Sequence, residues 1–133
     1  MKLTLRSEYG LLALVHLARH GGAGYVSVAA IAEAQDISPK FLEQILLSLK
    51  RARYLRSCKG REGGYALARP PEKINLAGII RALDGPLAPT ESVSRYFYES
   101  TPVEREKKLV RVFKEIRDFV SDKLEATTLA DVS

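Results

Sequence analysis

Apolar residues at Leu11, Leu14, Val15 and Ala18 fall at i, i+3, i+4 and i+7, the spacing of one face of a helix. The glycines of "HGGAG" at 20–24 end that helix, because they tolerate a left-handed backbone. Ser27 is placed to cap a second, short helix, "VAAIAEAQ", with its hydroxyl on the first free amides. Asp36 and Ile37 then make a tight turn. Ser38-Pro39 predicts a new helix start, a capping hydroxyl followed by proline at the first helical position. This third helix runs to about Ala52. Phe41, Leu42, Ile45, Leu46 and Leu49 form its buried stripe, while Lys40, Glu43, Gln44 and Arg51 share the opposite face with Leu47.

The period then shortens to two. "YLRSCKG" (54–60) and "GGYALAR" (63–69) read as paired strands joined through Arg61-Glu62 and flanking glycines, and Pro70-Pro71 ends the pairing. Two short helices about a turn, followed by a basic hairpin, make a winged helix-turn-helix. "GREGG" lacks the lysine and hydroxyl of a nucleotide-phosphate loop, and no helix follows it. Asn75 caps a further short helix, "LAGIIRALDG", and "PLAPTESVSRYFYESTP" (86–102) reads as a loop. From Val103 a long helix carries Leu109, Val112, Phe113, Ile116, Phe119, Val120 and Leu124 at three- and four-residue steps, close to a heptad seam. The seam either packs on its own domain or buries itself against a second copy; its length favours the second copy. The expected fold is mainly α with a small β-hairpin wing. Residues 1–85 form a winged helix-turn-helix DNA-binding unit, 86–102 a loop, and 103–133 a dimerisation helix and tail.

Charge gives that fold a partner. The chain has 133 residues and a net charge of +5. Residues 1–90 carry 13 Lys/Arg against 7 Asp/Glu, whereas 91–133 carry 8 against 9. Between Lys50 and Glu62 stand six basic residues and one acid. Such a cluster suits a polyanion, here double-stranded DNA. No apolar run approaches the ~20 residues of a membrane span, polar residues interrupt the N-terminus too often for a signal peptide, and a single cysteine suits a reducing compartment. The expectation is a cytoplasmic protein without a membrane partner.

The stretches "LRSEYGLLALVHLA", "IAEAQDISPKFLEQILLSLKRARYL", "RSCKGREGGYAL" and "TTLADV" resemble the Rrf-two, or BadM-like, family of winged-helix regulators, which includes IscR, NsrR and CymR. The resemblance spans nearly the whole chain. It implies a bacterial-type transcription factor that dimerises through its long C-terminal helix and binds an imperfect palindrome. It also implies base reading from the start of the third helix, at Ser38, Lys40 and Glu43, and a wing contact at Lys59 with Arg61 beside it. Chemistry agrees, since a carboxylate accepts from cytosine N4 and cations hold phosphates or enter a minor groove. Tyr9, Gln44, Arg51 and Arg53 are candidates for backbone contacts. The departure from the family lies in the loop. Cluster-binding relatives place three cysteines there, whereas this loop has none, and Ser92 and Ser100 stand where some relatives have cysteine. Hydroxyls are poor ligands for such iron centres, so no iron–sulfur cluster, and no other cofactor, is expected.

Other residues carry open readings. Cys58, among Arg56, Lys59 and Arg61, is either a redox sensor or a small apolar residue packed under the wing, and packing is the favoured reading. His16 and His20 are four apart on one helix face, but nothing nearby completes a metal site. Tyr96, Phe97 and Tyr98 either line an effector pocket or plug the loop onto the core. No catalytic constellation has plausible spacing, so the chain reads as no enzyme. The reading is a homodimeric DNA-binding regulator, a repressor, answering to an unknown effector or co-regulator. The alternative is a winged helix that binds another protein, a metabolic enzyme or RNA polymerase.

Overall fold

A computed structural model describes residues 1–20 and 24–133. The chain opens with α1 (Leu5–Arg19), whose start is capped by Thr4, its hydroxyl accepting from the Ser7 amide at 3.2 Å. The His20 amide closes the other end on the His16 carbonyl. The glycine stop expected over 20–24 falls largely on residues 21–23, which lie outside the described residues. Helix α2 (Val28–Gln35) is capped by Ser27 as expected, with the Ala30 amide at 3.1 Å. Asp36 then takes the left-handed backbone, φ 53°, and turns the chain into α3 (Pro39–Arg51).

At α3 the expected cap differs. Ser38 precedes the proline, yet its side chain makes no capping bond. The residues that do cap, Thr4, Ser27 and Asn75, sit at ψ 152–162°, whereas Ser38 sits at 124°. The apolar stripe of α3 packs as expected: Leu42, Ile45, Leu46 and Leu49 are fully buried. Phe41 is half-buried, its ring meeting Tyr9 edge-on at 5.7 Å.

A second left-handed residue, Arg53 at φ 67°, joins α3 to the wing. Strands β1 (Leu55–Cys58) and β2 (Gly64–Leu67) pair antiparallel, with Leu55 opposite Leu67 and Cys58 opposite Gly64. Val26 adds a third edge, exchanging both backbone hydrogen bonds with Tyr65 at 2.9 and 2.8 Å. This bridge leaves no room at Gly64, where a Cβ would lie 2.1 Å from the Val26 carbonyl oxygen. Helix α4 (Leu76–Asp84), capped by Asn75 on the Gly78 amide, packs against α1 and α3. The core gathers Leu14, Ile31, Leu42, Ile45, Leu46, Leu49, Ile74 and Ile79.

Loop 86–102 is tied down rather than loose. It holds one 3₁₀ turn (Glu91–Val93), and buries Leu87, Ala88 and Val93. Arg117 donates to the Val93 carbonyl at 2.9 Å. Arg95 pairs with Asp118, Asp122 and Glu125, and Arg81 with Glu125. The plug reading of Tyr96, Phe97 and Tyr98 is wrong, for all three are exposed. Tyr96 instead stacks under the Arg81 guanidinium, and Tyr98 donates to Glu104.

Helix α5 (Lys107–Ala126) carries two apolar faces where one seam was expected. Leu124 packs on Ala77, Ile80 and Leu87, and Phe113 and Val120 are half-buried. Leu109, Val112, Ile116 and Phe119 form the other face, all exposed, Phe119 by 76%. Beyond α5 the chain returns to the first unit. The Leu129 amide donates to the Ile74 carbonyl at 2.7 Å, Thr128 bridges to Asn75, and the Leu129 side chain is fully buried in the core.

Candidate nucleic-acid interface

Helix α3 offers its polar face because its apolar face is used up in the core. Lys40, Glu43, Gln44, Leu47 and Arg51 are all exposed. Arg51 is eleven positions beyond Lys40, so it lies on the same face about 16 Å further along the axis. The helix start therefore gathers Ser38, Lys40, Glu43 and Gln44, with Arg51 apart from them. Because Ser38 caps nothing, its exposed hydroxyl is uncommitted. Tyr9 reaches this end of α3 through its contact with Phe41 and is only half-exposed.

Lys59, Gly60, Arg61 and Glu62 form the exposed wing tip. The turn closes by a Gly63 amide bond to the Gly60 carbonyl, 3.1 Å, and Gly60 takes φ +108°, a region that favours glycine. Wing and α3 feel each other: burial, and then the Glu43 charge, push the Tyr65 hydroxyl above its usual 10.0.

Electrostatics separates the two halves of the molecule. Among the described residues every ion pair involves Arg81, Arg95 or Arg117 with acids of α5. None involves Lys40, Arg51, Arg53, Lys59 or Arg61. The cations of α3 and the wing are thus unpaired among the described residues and outnumber Glu43 and Glu62 beside them, as a polyanion-binding face requires.

Three cations were given no contact role from the sequence, although Arg56 stands in the basic cluster it shows. Arg6, on α1, bonds the Ser48 hydroxyl of α3. Arg56 lies over the Tyr25 ring at 5.7 Å, and Arg69 over Tyr54 at 4.4 Å. The signal for Arg69 was an aromatic and an arginine flanking the hairpin. Cys58 corrects an expectation as well. It is exposed, not packed under the wing, with its thiol 3.6 Å from the Lys59 carbonyl. Side chains alternate along β1, so Cys58 shares the exposed face of Arg56 rather than the buried face of Leu55. His16 and His20 face each other with ring centres 5.6 Å apart, and no group of three or more His, Cys, Asp or Glu that could hold a metal occurs among the described residues.

A model of the Rrf2 family, described as iron-dependent transcriptional regulator, matches residues 3–133. The chain belongs to the Rrf2 family. CymR of Bacillus subtilis is 35% identical over 133 residues, spanning all of this chain and 90% of that protein. The structure of CymR, described as the global cysteine regulator of B. subtilis, superposes with a TM-score of 0.80 at 34% identity, covering 99% of this chain and 95% of that one. The IscR of T. potens gives a TM-score of 0.76 at 32% identity, covering 99% and 85%. Membership of Rrf2 makes the chain a DNA-binding transcriptional regulator and not an enzyme, and its architecture is the winged helix-turn-helix of that family. No helix among the described residues is long and apolar enough to cross a membrane.

The family description names iron dependence without naming the centre. Iron–sulfur clusters are held mainly by thiolates, and the chain's one cysteine, Cys58, stands on the wing. In the loop, Ser92, Thr90 and Thr101 spend their hydroxyls on one another, 2.6 Å between Ser92 and Thr101 and 2.9 Å between Thr90 and Thr101. Ser100 is exposed at its end.

Proposed function

We propose that this chain is a homodimeric, sequence-specific repressor that occupies a palindromic operator and works without a cysteine-held iron–sulfur cluster. The observation that carries the reading is the excess of unpaired cations on α3 and the wing, where the ion pairs of the described residues all lie elsewhere. Ser38, Lys40 and Glu43 meet base edges in the major groove, with Glu43 accepting from a cytosine amino group. Lys59 and Arg61 hold phosphates or the flanking minor groove, and Tyr9, Gln44, Arg51 and Arg53 hold the backbone. The exposed α5 stripe, from Leu109 to Phe119, supports pairing with a second copy, and a twofold dimer calls for a twofold site. Such a repressor works in the cytoplasm, where bacterial DNA lies.

Sites selected from a random duplex pool test this directly. The expected result is a palindrome whose affinity falls steeply with salt, since displaced counterions supply much of the binding. A visible spectrum of anaerobically purified protein without charge-transfer bands accompanies it. Failure to bind any duplex in dilute buffer sinks the reading. The exposed Tyr96, Phe97 and Tyr98 favour a second one, a module that docks on another protein. Salt-insensitive binding to a protein, without DNA binding, would select it.

A further inference from the structure

Between the end of α1 and the hairpin lies a cavity of about 500 Å³. Leu17 and Ala18 of α1, Ala66 of β2 and Pro71 give it apolar walls, and Arg56 and Arg69 line it as well. The register explains the meeting: Arg56 pairs with Ala66, so both stand on the hairpin face that looks into the cavity.

The two guanidiniums have no counter-ion there. Neither pairs with a carboxylate among the described residues. Their partners are neutral: the rings of Tyr25 and Tyr54, and the Arg53 carbonyl, which accepts from Arg69 Nε at 3.3 Å. Two uncancelled positive charges on a drug-sized apolar hollow define a ligand class. Ligand sites of this volume combine apolar walls with a few convergent polar groups that fix orientation. A cation is repelled here, and a neutral apolar molecule leaves both charges unanswered. A DNA phosphate would answer the charges but has no apolar body to fill the hollow.

We propose that this cavity is the regulator's effector site, taking a small molecule with an apolar body and one carboxylate. Its regulatory role rests on the DNA-binding function proposed above; its binding chemistry does not. Arg69 supplies the link. It clasps the carbonyl of Arg53, the left-handed joint between α3 and β1. A carboxylate that draws Arg69 inward frees that joint and lets the wing tilt away from α3. Occupancy therefore weakens operator binding, by roughly tenfold, in the ordinary range of coupling between two sites.

The test uses naphthalene-2-acetate and its uncharged twin, naphthalene-2-acetamide, on the whole protein. Backbone amide resonances are followed by NMR without DNA, and operator binding is measured separately. The acid should saturably shift the amides of Val26, Ala66, Leu67 and Ala68, the amide twin should bind at least ~10-fold more weakly, and Arg56→Ala/Arg69→Ala should abolish binding of the acid. Equal binding of the two probes, or no shifts at millimolar acid, overturns the site even if the double variant fails to fold. Loss of operator affinity in that variant, with no binding of acid by the native protein, assigns the guanidiniums to phosphates instead. Acid bound with unchanged operator affinity overturns the coupling. Acid bound by a protein that binds no duplex overturns the proposed function and leaves the site standing.

Discussion

Thr4 holds Asp84 by two bonds, its amide donating to Oδ2 at 3.1 Å and its hydroxyl to Oδ1 at 2.5 Å. The same hydroxyl caps α1 by accepting from Ser7. The start of the first helix and the end of the fourth are thereby one joint, 80 residues apart in sequence.

That joint makes stability depend on acid. Partial burial pushes the Asp84 pKa up, but the Thr4 hydroxyl and amide and the Arg6 charge outweigh it and hold the carboxyl below its usual 3.8. A depressed folded pKa gives stability that is complete above the unfolded value and lost as pH falls through the folded one. Urea unfolding should therefore show a loss setting in below about pH 4 that Asp84→Asn makes smaller, the remainder coming from Asp118 and Asp131, whose carboxyls are also held below 3.8. Thr4→Val, which loses the cap and the hydroxyl half of the clasp while keeping the amide half, should cost about 1–2 kcal/mol. An identical acid slope in the asparagine variant would exclude this joint.

The wing should be sensitive at Gly64 and tolerant at Gly60. A Cβ at Gly64 meets backbone, the Val26 carbonyl carbon at 2.4 Å and the Ser27 nitrogen at 2.8 Å, which cannot step aside like a side chain. Gly64→Ala should cost roughly 2 kcal/mol or more and expose the Val26 and Tyr65 amides to exchange. Gly60 has open space around it, so Gly60→Ala carries only the strain of φ +108°, about 1–2 kcal/mol. Equal melting temperatures for the two variants contradict the packing described.

On α5 the two apolar faces should respond oppositely to charge. Ile116→Lys and Phe119→Lys place a cation where the protomer already meets solvent, so each should leave a folded but monomeric protein by sedimentation. Leu124→Lys should unfold the protomer, because Leu124 packs on Ala77, Ile80 and Leu87. A Phe119→Lys dimer as tight as the native one rules the outer stripe out as the seam.

DNA contacts divide by chemistry. Glu43→Ala should relax base choice at one position, losing about 1–3 kcal/mol of discrimination. Lys59→Ala and Arg61→Ala should weaken all sequences alike and lower the salt slope by about one each. Band shifts with native and altered half-sites measure both. An unchanged preference in Glu43→Ala would move the reading face elsewhere.

Much of this was legible in the residues. Apolar spacing located α1, α3 and α5, residue chemistry located the caps at Ser27 and Asn75, and glycines with a period of two located the wing. What escaped depends on backbone angles or on contacts distant in sequence. Ser38 has the right hydroxyl but turns aside, freeing it as a candidate contact. A three-and-four spacing cannot tell one face from two, so Phe113, Val120 and Leu124 merged with Leu109, Val112, Ile116 and Phe119. Val26 joined the sheet from a stretch too short to look like a strand. Arg53 adopts a left-handed backbone that its side chain does not announce. Exposure of Cys58 follows the alternation that sets it beside Arg56, whereas that of Tyr96–Tyr98 was settled by where the core ends, which no local pattern reports.

Fastening α5 along its inner side has a geometric outcome. Arg117, midway along it, grips the preceding loop, Leu124 packs on α4, and Leu129 beyond its end is sunk in the core, which ties the rod to the unit that carries the reading helix. Two copies zipped along such rods would present their helices at one angular phase. A single base pair inserted at the operator's centre, about 34° of twist at 10.5 base pairs per turn, would then throw one half out of alignment, however good the letters on either side.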